Sequence, residues 1–495
     1  MLIKLLRKNK VIEKIGFNLY YFSIELKKKP MSQFSNSNDN LPLSKFEMML
    51  KTNSVYFFDS NEFEQIILYY VDNGKFSLAK KAIKLGLSQH PSSVSLKLIQ
   101  VELLILDDKL EIAEKILDQL QEIEPSNEEI YIQKATIYSK KGKHKNAVES
   151  LQTALLFAED DADILSMLGM EYLHLDDFDT ARFNFAKSLD VSFDNYSSLY
   201  NIIYCYDMLD QHKEAIDYLS EFIENEPYSE IAWHQIGRQY FVIENFDKAL
   251  EAFDYSILID ENFIGAHLEK AKTLEELERY EEAISFYHKT MEIDTPTSFA
   301  YLRIGKCYEK LKQPQKAVDF YNKTVTEDPL LDKGWLALTE FHIKNKNYHK
   351  GLYYINKALG IDEDNHLYWH QFAEINLNLN LFEEAAKAYY KCIGLQDDRL
   401  EVYIALADVL VFLGEFDESL QVLFDANEKY KGVVEITYRQ AGLFFLLHKK
   451  TDGLLLLEKS LKNDILYLPV IQSLFPTIFD MDIVKTLIKK YDPSR

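Results

Sequence analysis

Twice in every 34 residues of this chain, apolar side chains recur at helical spacing, and a short polar break divides the two runs. WHQIGRQYFVI (233–243) and KALEAFDYSILI (248–259), separated by ENFD, make one such unit. The pattern predicts a helix, a tight turn and a second helix. Rows of 34 laid from Ser60 keep register to Tyr467 without insertion or deletion, giving twelve rows that begin at 60, 94, 128 and so on to 434. Their twentieth position holds Ala79, Ala113, Ala147, Ala181, Ala215, Ala249, Ala283, Ala317, Gly351, Ala385, Ser419 and Gly453, all small, as two closely touching helices require. The fourth position is bulky in most rows: Phe63, Tyr131, Tyr301, Tyr403 and all three tryptophans, Trp233, Trp335 and Trp369. The tryptophans are therefore expected to be buried between helices.

One row places Trp233, Ile236, Gly237, Tyr240, Ala249 and Phe253 at spacings that resemble the tetratricopeptide repeat (TPR) signature W-x2-L-G-x2-Y, A-x3-F. Tyr301, Ile304, Gly305, Tyr308, Ala317, Tyr321 and Pro329 match in the row from 298, and Leu165, Leu168, Gly169, Tyr172, Ala181 and Phe185 in the row from 162. Rows 94, 400 and 434 match less well. The resemblance is to multi-repeat bacterial scaffold proteins. It implies an all-α, right-handed superhelical solenoid of about twelve helix-turn-helix repeats, whose first helices line a concave groove that takes a partner protein or peptide.

The ends differ from the rows. Residues 34–53 are rich in Ser and Asn and are expected to form a loose lead-in within a segment covering 1–59, whereas 468–495 lose the phase and predict capping helices beyond the solenoid of 60–467. Residues 1–29 carry eight Lys or Arg against Glu13 and Glu25, a balance of +6, where the rest of the chain carries −29. Three readings compete: a basic segment that touches an anionic membrane surface, a degenerate signal, and sequence upstream of the true start. The expectation is the last, with translation starting at Met31, and a surface anchor comes next. No run reaches the roughly 20 apolar residues that span a bilayer.

A formal charge of −23 argues against a nucleic-acid partner, because affinity for phosphates comes from clustered Lys and Arg. Cys205, Cys307 and Cys392 form no CxxC pair, which suits reduced thiols and a cytoplasmic location, the inner membrane surface being the alternative. With 16 glycines and no nucleotide, hydrolase or metalloprotease motif, nothing supports an enzyme, and no cofactor is expected. His366, His370 and Glu374 are spaced four apart near Glu340 and Asp408, but they are read as a solvated polar face and no metal is assigned.

If the resemblance holds, the inward columns are the second, fifth, ninth, twelfth and thirteenth. The fifth reads Tyr200, His234, Leu268, Leu302 and onward, and the ninth reads Tyr204, Arg238, Lys272, Lys306, then Glu340, Glu374 and Asp408. A basic run is the less expected half of this series in so acidic a chain. Tyr200, Tyr204, His234, Arg238, Leu268, Lys272, Leu302 and Lys306 are therefore the candidate contacts for a partner with an acidic segment.

Overall fold

A computed structural model describes residues 41–52, 56–158, 162–192, 195–295 and 297–491. Residues 1–29 and Met31, with the expectation placed on them, lie outside the described residues. Among the described residues all regular structure is helical. Contacts divide the chain into two compact units, one ending at Glu221 and one beginning at Phe222, so the division falls within the expected 60–467 array.

The first unit opens with α1 (Leu41–Thr52), followed by the pairs α2 (Ser60–Asp72) and α3 (Phe76–Gln89), α4 (Val94–Leu106) and α5 (Leu110–Ile123), α6 (Glu128–Lys140) and α7 (His144–Leu155), α8 (Ala162–His174) and α9 (Phe178–Val191), and then α10 (Tyr196–Met208). Helix α11 (His212–Asn225) crosses the division. The second unit continues with α12 (Glu230–Val242) and α13 (Phe246–Ile259), α14 (Ile264–Glu276) and α15 (Tyr280–Ile293), α16 (Ser298–Lys310) and α17 (Pro314–Glu327), and α18 (Asp332–Lys344) and α19 (Tyr348–Leu359). It ends with α20 (His366–Asn378) and α21 (Phe382–Gly394), α22 (Leu400–Leu413) and α23 (Phe416–Lys429), α24 (Val434–Leu446) and α25 (Lys450–Asn463), and three short helices, α26 (Leu468–Leu474), α27 (Pro476–Phe479) and α28 (Asp482–Tyr491). Every first helix begins at position one of its row and every second helix at position seventeen.

The turn inside each row has one geometry. Its fifteenth residue is left-handed in all twelve rows, with φ from 55° at Lys346 to 82° at Gly414, yet only Gly74, Gly142 and Gly414 are glycines there. The next N–H bonds back to the carbonyl five residues earlier, as in Lys109 to Leu104, Asn245 to Tyr240 and Gln313 to Tyr308, each at 2.9 Å. This closure satisfies carbonyls that the first helix leaves open. Packing then fixes the hairpin: the nine twentieth-position alanines and Ser419 show no solvent exposure. Where the eighth position is Gly, the aromatic ring of the twenty-fourth fills the space a Cβ would need. That Cβ would lie 2.6 Å from Phe185 at Gly169, 2.5 Å from Phe253 at Gly237 and 2.5 Å from Tyr321 at Gly305.

Part of the expected loose lead-in is a helix instead. In α1, Leu43, Phe46, Met49 and Leu50 form an apolar stripe, and Phe46 packs edge-on against Phe58 and Phe63 at 6.1 and 6.3 Å. Four apolar residues at helical spacing outweigh the Ser and Asn that precede them. At the far end Phe475 sits against Gly442, with Val484 and Ile488 of α28 buried behind it.

Candidate protein-interaction face

Ser229 starts α12 by accepting a hydrogen bond from the Ala232 N–H at 3.2 Å, which sets the phase of the residues that follow. In five successive rows of the second unit the ninth residue points to solvent while its neighbours turn inward. Arg238 is exposed between buried Gly237 and Gln239, Lys272 is half-exposed between Ala271 and Thr273, and Lys306 is exposed between Gly305 and Cys307. Glu340 and Glu374 follow, both exposed.

Contacts link these positions from row to row. Lys272 Nζ lies 5.7 Å from the ring centroid of Phe299 on α16, and Gln371 on α20 donates to Glu340 Oε1 on α18 at 3.5 Å. The charges are unequally available. Arg238 donates to Gln235 at 3.1 Å, and neither it nor Lys306 has a carboxylate partner among the described residues. Lys272 shares its charge with Glu269 one turn back, at 2.7 Å. Asp408, the last acid of the series, is held by Arg439 through two hydrogen bonds of 2.7 and 2.9 Å and is not open.

The fifth position is placed differently from expectation. His234 and Leu302 are buried, at 8% and 4% exposure, and Leu268 is half-buried. The reason is the chain that follows, which covers them: His234 lies edge-on to Phe263, the last residue of its own row, at 5.2 Å and below Gly265 of the next, while Leu302 clusters with Trp335, Ala337 and Leu338. Both ring nitrogens of His234 lack a hydrogen-bond partner among the described residues. Burial, then the charges of Arg238 and Lys272, pull its pKa down to about 4. Two cations from adjacent rows thus act on one buried imidazole. Tyr200 and Tyr204 lie on α10 in the first unit, both exposed, and are described there by themselves.

The tryptophans are half-buried rather than buried, because each indole N–H ties down the preceding loop: Trp233 to Pro227 O at 3.0 Å, Trp335 to Pro329 O at 2.9 Å and Trp369 to Glu363 O at 2.7 Å. His366 turns to Asp397, 3.1 Å away, while His370 lies 3.9 Å from Glu374. Burial pushes the thiols of Cys205, Cys307 and Cys392 up to about 12, so they stay protonated at neutral pH. Sequence reasoning missed Phe299, whose second-position column carried no pattern, and the Glu269 partner that weakens Lys272. No described helix is long and apolar enough to cross a membrane.

Two family models of the tetratricopeptide repeat match the chain, one at 197–229 and 299–330 and the other at 128–161, 264–295 and 367–399. The five matched segments fall on the 34-residue rows. No curated protein matches the chain. Among solved structures it is similar to the APC/C hetero-tetramer Cut9–Hcn1 (12% identity, 81% of this chain and 94% of that one, TM-score 0.36). It is also similar to a tetratricopeptide repeat protein from Parabacteroides merdae ATCC 43184 (17%, 51% and 99%, TM-score 0.39). A third is YrrB, described as a TPR protein with an unusual peptide-binding site (16%, 38% and 96%, TM-score 0.31).

Proposed function

The chain is a multi-repeat tetratricopeptide-repeat protein, and on that footing we propose that it is a non-enzymatic scaffold that binds a protein or peptide across the first helices of its second unit. The observation that carries this reading is the run Arg238, Lys272, Lys306, solvent-facing at one position of three successive rows in a chain of net charge −23. A partner segment bearing carboxylates meets attraction there and repulsion from most of the remaining surface, so the run selects register and speeds encounter more than it adds affinity. Leu268 and Phe299 supply apolar contact beside it.

The test begins by purifying partners with tagged full-length protein, then measuring association of an identified partner with wild type and with the triple variant Arg238→Glu, Lys272→Glu, Lys306→Glu. Exposed charges contribute roughly 0–1 kcal/mol each, so the variant should keep its helical circular dichroism. Its association rate should collapse, and salt should slow wild type toward the variant. Unchanged rates in the folded variant would remove the face from consideration.

A further inference from the structure

The ninth position divides the face of the second unit into two blocks of opposite sign, and the blocks do not neutralise each other. Arg238, Lys272 and Lys306 come from α12, α14 and α16, and Glu340 and Glu374 from α18 and α20. Lys306 and Glu340 hold the same position in adjacent rows, yet Lys306 has no carboxylate partner among the described residues, and Glu340 meets Gln371 instead. Among the described residues the Glu374 carboxylate pairs with no Lys or Arg, and His370 lies 3.9 Å from it with burial lowering the pKa of that imidazole. Lys344, beside the acidic block, is already bound to Glu309. A segment of a single sign that satisfied one block would meet repulsion from the other.

We infer that the bound segment is an extended chain of two charge blocks, acidic where it crosses α12, α14 and α16 and basic where it crosses α18 and α20. This deepens the reading under Proposed function and rests on it. Few apolar side chains are open along this column, chiefly half-buried Leu268 with Phe299 and Leu367, 40% and 50% exposed, and Val242, 51% exposed, at the end of α12. That is too little to cover the broad apolar stripe of an amphipathic helix, which favours an extended occupant. Helices α12 and α14 touch directly, and α14, α16, α18 and α20 are joined mainly through the second helices packed between them. A step of roughly 8–10 Å between packed helices equals about three residues of extended chain. The matching segment therefore carries acids at about every third position over three rows and bases at the same interval over the next two, about twelve residues from first charge to last. Asp408 sets the limit, since Arg439 already occupies it.

The experiment is fluorescence anisotropy at low ionic strength with full-length protein and labelled peptides of about fifteen residues in a Ser/Ala background. One peptide carries three Glu at every third position followed by two Lys at the same spacing. In a second the two Lys are Gln, and in a third they are Glu. The two-block peptide should bind about tenfold more tightly than the Gln peptide, as two exposed charge pairs of about 0.7 kcal/mol each give. Glu340→Gln with Glu374→Gln should abolish that preference, and Glu340→Lys with Glu374→Lys should turn it toward the all-acidic peptide. If the Gln peptide binds wild type as tightly as the two-block peptide, and both are lost in the Arg238, Lys272, Lys306 triple reversal, the two-block inference is wrong while the basic face stands. If no peptide binds and the triple reversal leaves partner association unchanged, both fail.

Discussion

At the scale of single residues, the left-handed turn positions hold stability in reserve. Lys312, with φ of 56°, adopts a conformation that costs a residue with a Cβ roughly 1–2 kcal/mol and costs glycine little. Lys312→Gly should therefore stabilise by about 1 kcal/mol despite glycine's greater freedom when unfolded, and Gly414→Ala should destabilise by a similar amount. Urea midpoints of the two variants check the pair, and a shift of the same sign in both would contradict the turn geometry. His234 makes a second residue-scale prediction. Its pKa is near 4 when folded, against an ordinary value of 6.5 for an unfolded histidine, so between those values the unfolded chain takes up the proton and the folded one does not. The histidine's contribution is complete above pH 6.5 and is lost as pH falls toward 4, at about 1.4 kcal/mol per unit and about 3 kcal/mol in all. The stability difference between wild type and His234→Leu should change over that window in urea titrations, wild type losing ground to the variant as the pH falls. A pH-independent difference would mean that the imidazole is not held neutral.

At the scale of the helical pair, the glycine at position eight and the aromatic at position twenty-four are two halves of one contact. Gly237→Ala would place a methyl 2.5 Å from Phe253, and Ala249→Leu would add a larger group at a site with no exposure. Each should cost about 1–3 kcal/mol, with loss of hydrogen-exchange protection concentrated near residues 230–297. The same contacts show what could be read in advance. Hairpins and their starts were legible, because small residues at position twenty and apolar spacing fix where two helices touch. The turn geometry was not, because nine of the twelve left-handed residues are not glycine and only four of those, Asp108, Asp176, Asp210 and Asn380, are turn-favouring types. The outward charges were legible as a column. The burial of His234 and Leu302 was not, since periodicity within one row does not say which side the next row covers. Nor did spacing reveal that Asp408 is taken, which depends on Arg439 in the following row.

At the scale of the whole chain, contacts run mainly between consecutive helices, so stability is a sum of local terms and damage stays near its source. Phe475, 2% exposed against Gly442, covers the last pair of the second unit. Phe475→Ala should cost about 3–5 kcal/mol. Hydrogen exchange should report the loss in α24 and α25 and leave the rows before 366 protected, and uniform deprotection would speak for global cooperativity instead. The identical turns have a different implication. Glu278 and Lys312 occupy the same left-handed position one row apart, with φ of 57° and 56°. Excising 279–312 would rejoin the chain between two equivalent points and remove one whole row. The shortened protein should still fold, with Lys272 now next to Glu340. The row is then a unit of inheritance as well as of structure: duplication or loss of 34 residues rewrites the order of charges on the face in a single event, with no new turn to invent.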